Sequence, residues 1–110
     1  MGDVNKTVGV IGSGSFGTAL ANLLAENQKV LMYDRKPEAA KRMQTERMAR
    51  GYALHERVEV TNSIERIANE CFLIFPVVPS QHFKEMIIDF SPYLRPDHIM
   101  IHATKGLHCD

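Results

Sequence analysis

The sequence predicts an α/β fold, a doubly wound and mainly parallel sheet with helices on both faces. Three observations predict it. Short apolar, β-branched runs alternate along the chain with longer segments of helical period, the pattern of strands joined by helical crossovers. Residues 8–11 and 72–75 are apolar at consecutive positions, as in strands covered on both sides. A glycine cluster follows the first of these runs directly.

The elements follow in order. Residues 7–12, TVGVIG, form a β-branched strand ending in glycine. Phe16, Ala19, Leu20, Leu23 and Leu24 then recur at helical spacing. Residues 29–34, KVLMYD, read as a second strand. Pro37 suits the first turn of a helix, which is expected to run through Met43 and Met48 and stop near Gly51. Residues 57–61 read as a short strand. Asn62, with Glu65 three positions on, has the spacing of a capping pair for a helix ending near Asn69. Residues 71–78, CFLIFPVV, are strongly apolar and strand-like, and Pro76 predicts that this strand ends or bends there. Ser80 can cap a helix whose apolar positions are Phe83, Met86, Ile87 and Phe90. Residues 98–104 supply a last strand, followed by KGLHCD.

Composition narrows the function classes. With 110 residues, 45% hydrophobic and 24% charged, the chain reads as one ordinary globular domain. Its formal net charge is zero, from 13 basic and 13 acidic residues. That balance gives no electrostatic reason to expect nucleic acid or an anionic membrane as partner. No apolar run approaches a membrane span, and the polar start MGDVNKT lacks the apolar stretch of a signal peptide; a cytoplasmic protein is expected. The two cysteines, Cys71 and Cys109, form neither a disulfide framework nor a zinc pattern. His102, His108 and Cys109 lie close in sequence, but zinc needs three or four placed ligands, and no metal is expected.

The glycines carry the chemistry. Gly12, Gly14 and Gly17 have G-x-G-x-x-G spacing, after a strand and at the opening of a helix, the setting in which that pattern cradles a dinucleotide. Gly12 permits the tight turn, Gly14 lets the backbone approach a pyrophosphate, and Gly17 lets the helix pack on the strand. The helix N-terminus offers unpaired amides and a partial positive charge to phosphate. Asp34 ends the second strand roughly twenty residues on, where a carboxylate meets the adenosine ribose. This is a Rossmann-like arrangement, and it calls for NAD or NADP as cofactor. Asp34 favours a free 2′-hydroxyl, whereas Arg35 and Lys36 could pair with a 2′-phosphate; acceptance of both cofactors is expected.

Three further stretches matter together: GSGSFGTALA, VPSQ at residues 78–81 and ATKGL at residues 103–107. In the order strand, glycine turn, YDR, VPSQ, TKG, the chain resembles the N-terminal domain of the bacterial type of NAD(P)-dependent glycerol-3-phosphate dehydrogenase. The resemblance covers nearly the whole chain. It implies that Ser15 and Phe16, inside the glycine turn, contact the cofactor, with the Phe16 ring lying against it. It implies that Arg35 and Lys36 match the family's contacts to the adenosine phosphate, and that Lys105 touches both the cofactor and the phosphorylated substrate. Tyr52 departs from the pattern: the family has a tyrosine followed by leucine-proline, and this chain reads YALHERV.

The family resembled is considerably longer. Its second half carries the remaining strands and an all-helical domain whose lysine acts as proton donor and acceptor, so no catalytic residue is expected within these 110 residues. The resemblance implies that the intact protein interconverts dihydroxyacetone phosphate and glycerol 3-phosphate by hydride transfer. The chain, residues 1–110, reads as an incomplete nucleotide-binding domain, inactive alone. An unpartnered sheet edge and apolar helix face predict self-association into a homo-oligomer. Two other readings stay open: a dehydrogenase of the 6-phosphogluconate or ketopantoate reductase type, and a non-enzymatic module that senses NAD(P).

Overall fold

The computed structural model describes residues 7–78, 80–94 and 99–100. Among the described residues five strands form one sheet: β1 (Thr7–Ile11), β2 (Lys29–Tyr33), β5 (Val58–Thr61), β6 (Cys71–Pro76) and β7 (Ile99–Met100). Their order is β5-β2-β1-β6-β7, and every pairing is parallel. The chain therefore winds outward from β1 through β2 to β5, then returns to the other side of β1 as β6 and β7. Winding reverses between β1 and β6, and a crevice at the carboxyl ends of those strands is where such sheets take ligands. Helices cross between the strands: α1 (Ser15–Leu24), α2 (Pro37–Glu46), α3 (Ile64–Glu70) and α4 (Ser80–Phe90). This is the doubly wound, Rossmann-like sheet that the alternation of runs predicts.

Side-chain alternation along the strands builds two cores. Val10, Val30, Met32, Val58 and Val60 point to one face, against Ala21 and Ala25 at the end of α1 and Ala40 of α2. Ile11, Leu31 and Ile74 point to the other, against Ile67 of α3 and Met86 and Phe90 of α4. The small alanines let α1 and α2 lie close to the valine face, while the opposite face is filled by larger groups. Phe83 and Ile87, two of the apolar positions expected for α4, pack on the edge of that second core. Cys71 lies within it, and burial pushes its thiol up to about 12, so it serves as a small buried hydrophobe.

Pro76 is the last residue of β6, still aligned with Ile11. The next residue, Val77, donates its N–H to the Ile11 carbonyl at 2.8 Å. Donors alternate sides along a strand, so the missing N–H of Pro76 faces away from β1 and costs that ladder nothing. Ile99 and Met100 pair with β6 as the last strand; the rest of the expected strand, residues 98 and 101–104, lies outside the described residues, as does the side chain of Ser80 proposed as a cap.

Two local expectations are corrected. The cap of α3 is Ser63, not Asn62: the Ser63 hydroxyl accepts from the Arg66 N–H at 3.1 Å. The helix α2 stops at Glu46, short of Met48 and Gly51. Arg47 adopts a left-handed conformation, φ 57° and ψ 37°, with its N–H on the Met43 carbonyl, the αL helix ending in which glycine is usual. The chain then turns back as a small antiparallel hairpin, β3 (Met48–Ala49) with β4 (Tyr52–Ala53). Its two loop residues, Arg50 and Gly51, both have positive φ, 53° and 83°, as a two-residue hairpin turn of type I′ requires. The guanidinium of Arg47 accounts for its backbone: it donates to the carbonyls of His55 at 2.9 Å and Val58 at 2.7 Å. Those charge-assisted bonds offset a left-handed residue that costs roughly 1 kcal/mol.

Candidate functional site

A cleft of about 820 Å³ opens at the carboxyl ends of β1, β2 and β6. This is within the range of small-molecule and cofactor sites. Its floor is the turn leaving β1. Gly12 has φ +126°, and a side chain there would run into the Val77 carbonyl oxygen, so only glycine lets β1 turn so close to β6. A Cβ at Gly17 would sit 2.5 Å from the Gly12 carbonyl oxygen, so Gly17 brings α1 down onto the turn. Gly14 differs from both: nothing lies within 4 Å of a Cβ built on it. Gly14 lines the cleft.

Gly14 also caps α1. No side-chain oxygen caps that helix, and its first turn holds no acidic residue. The first-turn amides of a helix have no partner within it, and here neither the cap residue nor a first-turn acid satisfies them.

Asp34 stands beside this turn at the end of β2, its N–H held by the Thr61 carbonyl at 3.0 Å. Its Oδ2 accepts from the Ser13 hydroxyl, and its Oδ1 accepts from the Lys36 backbone N–H at 2.8 Å. The carboxylate is thereby oriented by the glycine turn on one side and by the start of α2 on the other. Ser13 is itself buried. Its carbonyl oxygen accepts from the Thr18 hydroxyl of α1 at 3.3 Å, a long bond that ties the turn to the helix.

Gly12, Gly14, Asp34, Arg35 and Lys36 all line the cleft. Arg35 reaches across its mouth to Glu85 of α4, Nη1 to Oε1 at 4.0 Å, with both side chains mostly in solvent. Exposed pairs of this kind add little stability, so the guanidinium is available to a ligand. Gly17 lies beneath the turn and shapes the site without lining it. Ser15 and Phe16 open α1 as exposed residues, Phe16 at 45%, and neither lines the cleft wall. Tyr52, on β4, is also exposed and off the cleft. Lys105 lies outside the described residues.

The walls include residues that sequence reasoning missed. One face of α2 supplies Ala39, Arg42, Met43 and Glu46; their i, i+3, i+4, i+7 spacing was the available signal. The hairpin supplies Met48, Arg50 and Gly51, and α4 supplies His82, Glu85 and Asp89. Tyr33 closes the inner end, its ring edge-on to Phe90 at 5.2 Å between centroids and 84° between planes. Burial first, then the neighbouring Asp89 charge, raises the Tyr33 phenol above its ordinary value, against an opposing pull from Arg35. The phenol stays neutral and serves as an apolar wall with a polar tip. Among the described residues no group of three or more His, Cys, Asp or Glu side chains could hold a metal, and no helix is long and apolar enough to cross a membrane.

The strand order, the glycine turn at the reversal of winding and the acid closing β2 define the Rossmann-like class of doubly wound α/β domains. Within that class the family described as "NAD-dependent glycerol-3-phosphate dehydrogenase N-terminus" matches residues 7–110. The chain belongs to this family. It is 38% identical over 107 residues to an NAD(P)+ glycerol-3-phosphate dehydrogenase of Pseudomonas aeruginosa (strain LESB58), covering 93% of this chain and 31% of that relative. It is 34% identical over 115 residues to one of Serratia proteamaculans (strain 568), covering 100% of this chain and 34% of that relative. The chain thus spans about a third of the length of the curated relatives it matches. Among solved structures, the glycerol-3-phosphate dehydrogenase of Coxiella burnetii superposes with a TM-score of 0.85 at 28% identity, over 94% of this chain and 33% of that one. An arogenate dehydrogenase of Synechocystis superposes with a TM-score of 0.68 at 19% identity, over 88% of this chain and 32% of that one, a likeness of fold alone.

Proposed function

We propose that this chain is the nucleotide-binding part of an NAD(P)-dependent glycerol-3-phosphate dehydrogenase, which interconverts dihydroxyacetone phosphate and glycerol 3-phosphate. The observation that carries the proposal is the contrast among the three glycines: Gly12 and Gly17 are packed against backbone, while Gly14, on the cleft lining, has nothing within 4 Å of a Cβ built on it. A cradle that a side chain would fill, over amides without a capping side chain, fits the pyrophosphate of a dinucleotide. Asp34, oriented from both sides, fits the adenosine ribose, and the exposed Arg35 and Lys36 beside it fit a 2′-phosphate. Both NADH and NADPH are therefore expected to bind.

When bound, the nicotinamide would supply hydride chemistry; the residues of this chain bind and orient it. Ser15 and Phe16, at the exposed start of α1, would meet the cofactor from outside the cleft wall, and Lys105 would contact both cofactor and substrate phosphate. The acid–base lysine would come from the family's helical domain, so residues 1–110 alone are expected to bind cofactor and turn over nothing. A cytoplasmic homo-oligomer completes this reading. Calorimetric titration with NADH and NADPH tests it: saturable binding of at least one supports the proposal, and no binding of either contradicts it.

A further inference from the structure

The glycine turn, residues 12–17, carries no cationic side chain, yet a pyrophosphate brings negative charge that backbone amides compensate only in part. A cation reaching the turn from elsewhere on the cleft would complete that compensation. Arg35, Lys36, Arg42 and Arg50 line it. Arg35 points across the mouth to Glu85. Arg50 points to the turn: its Nε donates to the Ser13 carbonyl oxygen at 3.3 Å. That carbonyl belongs to the peptide entering Gly14, the position with open space above it. No carboxylate of the described residues pairs with Arg50.

The hairpin presents this arginine firmly. Asn22 of α1 holds it, donating to the Ala53 carbonyl and accepting the His55 N–H, both at 2.9 Å. Leu54 N–H closes the base of the hairpin on the Arg47 carbonyl at 2.9 Å. Arg50 also occupies a positive-φ turn position, φ 53°, where turn chemistry favours asparagine, aspartate or glycine. A long cation at such a position, aimed at the neighbouring ligand turn, is the kind of local departure that accompanies a binding role.

We propose that Arg50 is a cofactor-binding residue that holds the pyrophosphate of the dinucleotide, closing the glycine turn from the hairpin side. This rests on the cofactor reading above. Because NAD and NADP share the pyrophosphate, Arg50 serves both, in contrast to Arg35, which would discriminate between them.

The test is calorimetric titration of the purified chain, as wild type, R50Q, R50K and R35Q, with NADH and with NADPH at two salt concentrations. R50Q should weaken both cofactors by the same factor, about tenfold, the scale of one lost charge-assisted hydrogen bond. Its binding should also respond less to salt than that of the wild type. R50K should recover part of the affinity, and R35Q should weaken NADPH more than NADH. R50G, which relaxes the positive φ, should keep the unliganded melting temperature and show the same loss as R50Q. Wild-type binding with R50Q unaffected, or with NADPH alone weakened, overturns the assignment of Arg50. No binding by the wild type overturns the cofactor reading and this assignment with it.

Discussion

Ser13 donates its hydroxyl to the carboxylate of Asp34, joining the turn after β1 to the end of β2 across 21 positions of sequence. The bond fixes the geometry of the proposed site before any ligand arrives, because the same carboxylate also accepts the Lys36 backbone N–H at the start of α2. Replacing Asp34 with alanine removes both acceptors. Asp34→Ala is expected to lower the melting temperature by a few degrees, on the scale of about 1 kcal/mol for a small domain. It should weaken NADH more than NADPH, since a ribose hydroxyl loses its acceptor while a 2′-phosphate loses a repulsive neighbour. Melting curves with and without each cofactor check this.

The glycines separate folding from binding. Gly12→Ala places a Cβ against the Val77 carbonyl oxygen at a φ of +126°, so it should destabilise the fold by about 2 kcal/mol or more. Gly14→Ala meets nothing within 4 Å and has an ordinary φ of −71°. It should cost less than about 1 kcal/mol of stability, the scale of a poorer N-cap, while weakening the cofactor. Denaturant unfolding paired with cofactor titration distinguishes the two variants.

Arg47 holds the hairpin base. Arg47→Ala loses the bonds to His55 and Val58 and keeps a left-handed backbone, φ 57°. Arg47→Gly loses the same bonds but relaxes the backbone. Both should be destabilised, the alanine variant by roughly 1 kcal/mol more than the glycine variant, as chemical denaturation would measure.

Glu59 gives the stability a pH dependence. A hydrogen bond from Arg66 holds its carboxyl below the ordinary value of 4.5, with burial opposing and the charges of Arg66 and Lys29 assisting; the Arg66 contact is 2.7 Å. A depressed carboxylate contributes stability that is fully present above the unfolded-state value and is lost as pH falls through the folded-state one. Both side chains are about one-third exposed, so the contribution is small. Glu59→Gln should flatten the fall in melting temperature below about pH 4.5 and lower the melting temperature near neutrality.

Much of this fold was legible because its signals are local. The consecutive apolar runs of β1 and β6, the glycine turn and the helical spacing of Phe83, Met86, Ile87 and Phe90 each depend on neighbours within a few residues. The end of α2 was not legible, because Arg47 terminates it without glycine and is held by carbonyls 8 and 11 residues away. Met48 continued a helical apolar pattern yet became a half-exposed hairpin residue on the cleft. Placing Ser63 rather than Asn62 as the cap is a one-residue shift that backbone geometry decides. Asp34 and the glycines could be placed beside one another from strand order alone, whereas the approach of Arg50 to Ser13 depends on a hairpin that no sequence pattern announced.

In the proposed complex a nicotinamide dinucleotide sits on the turn after β1 and against the end of β2. Backbone amide shift mapping by NMR during titration with NADH tests it most directly. The largest shifts should fall on residues 12–17, 34–36 and 50–51. Shifts confined to other surfaces, or none at saturating NADH, would contradict it.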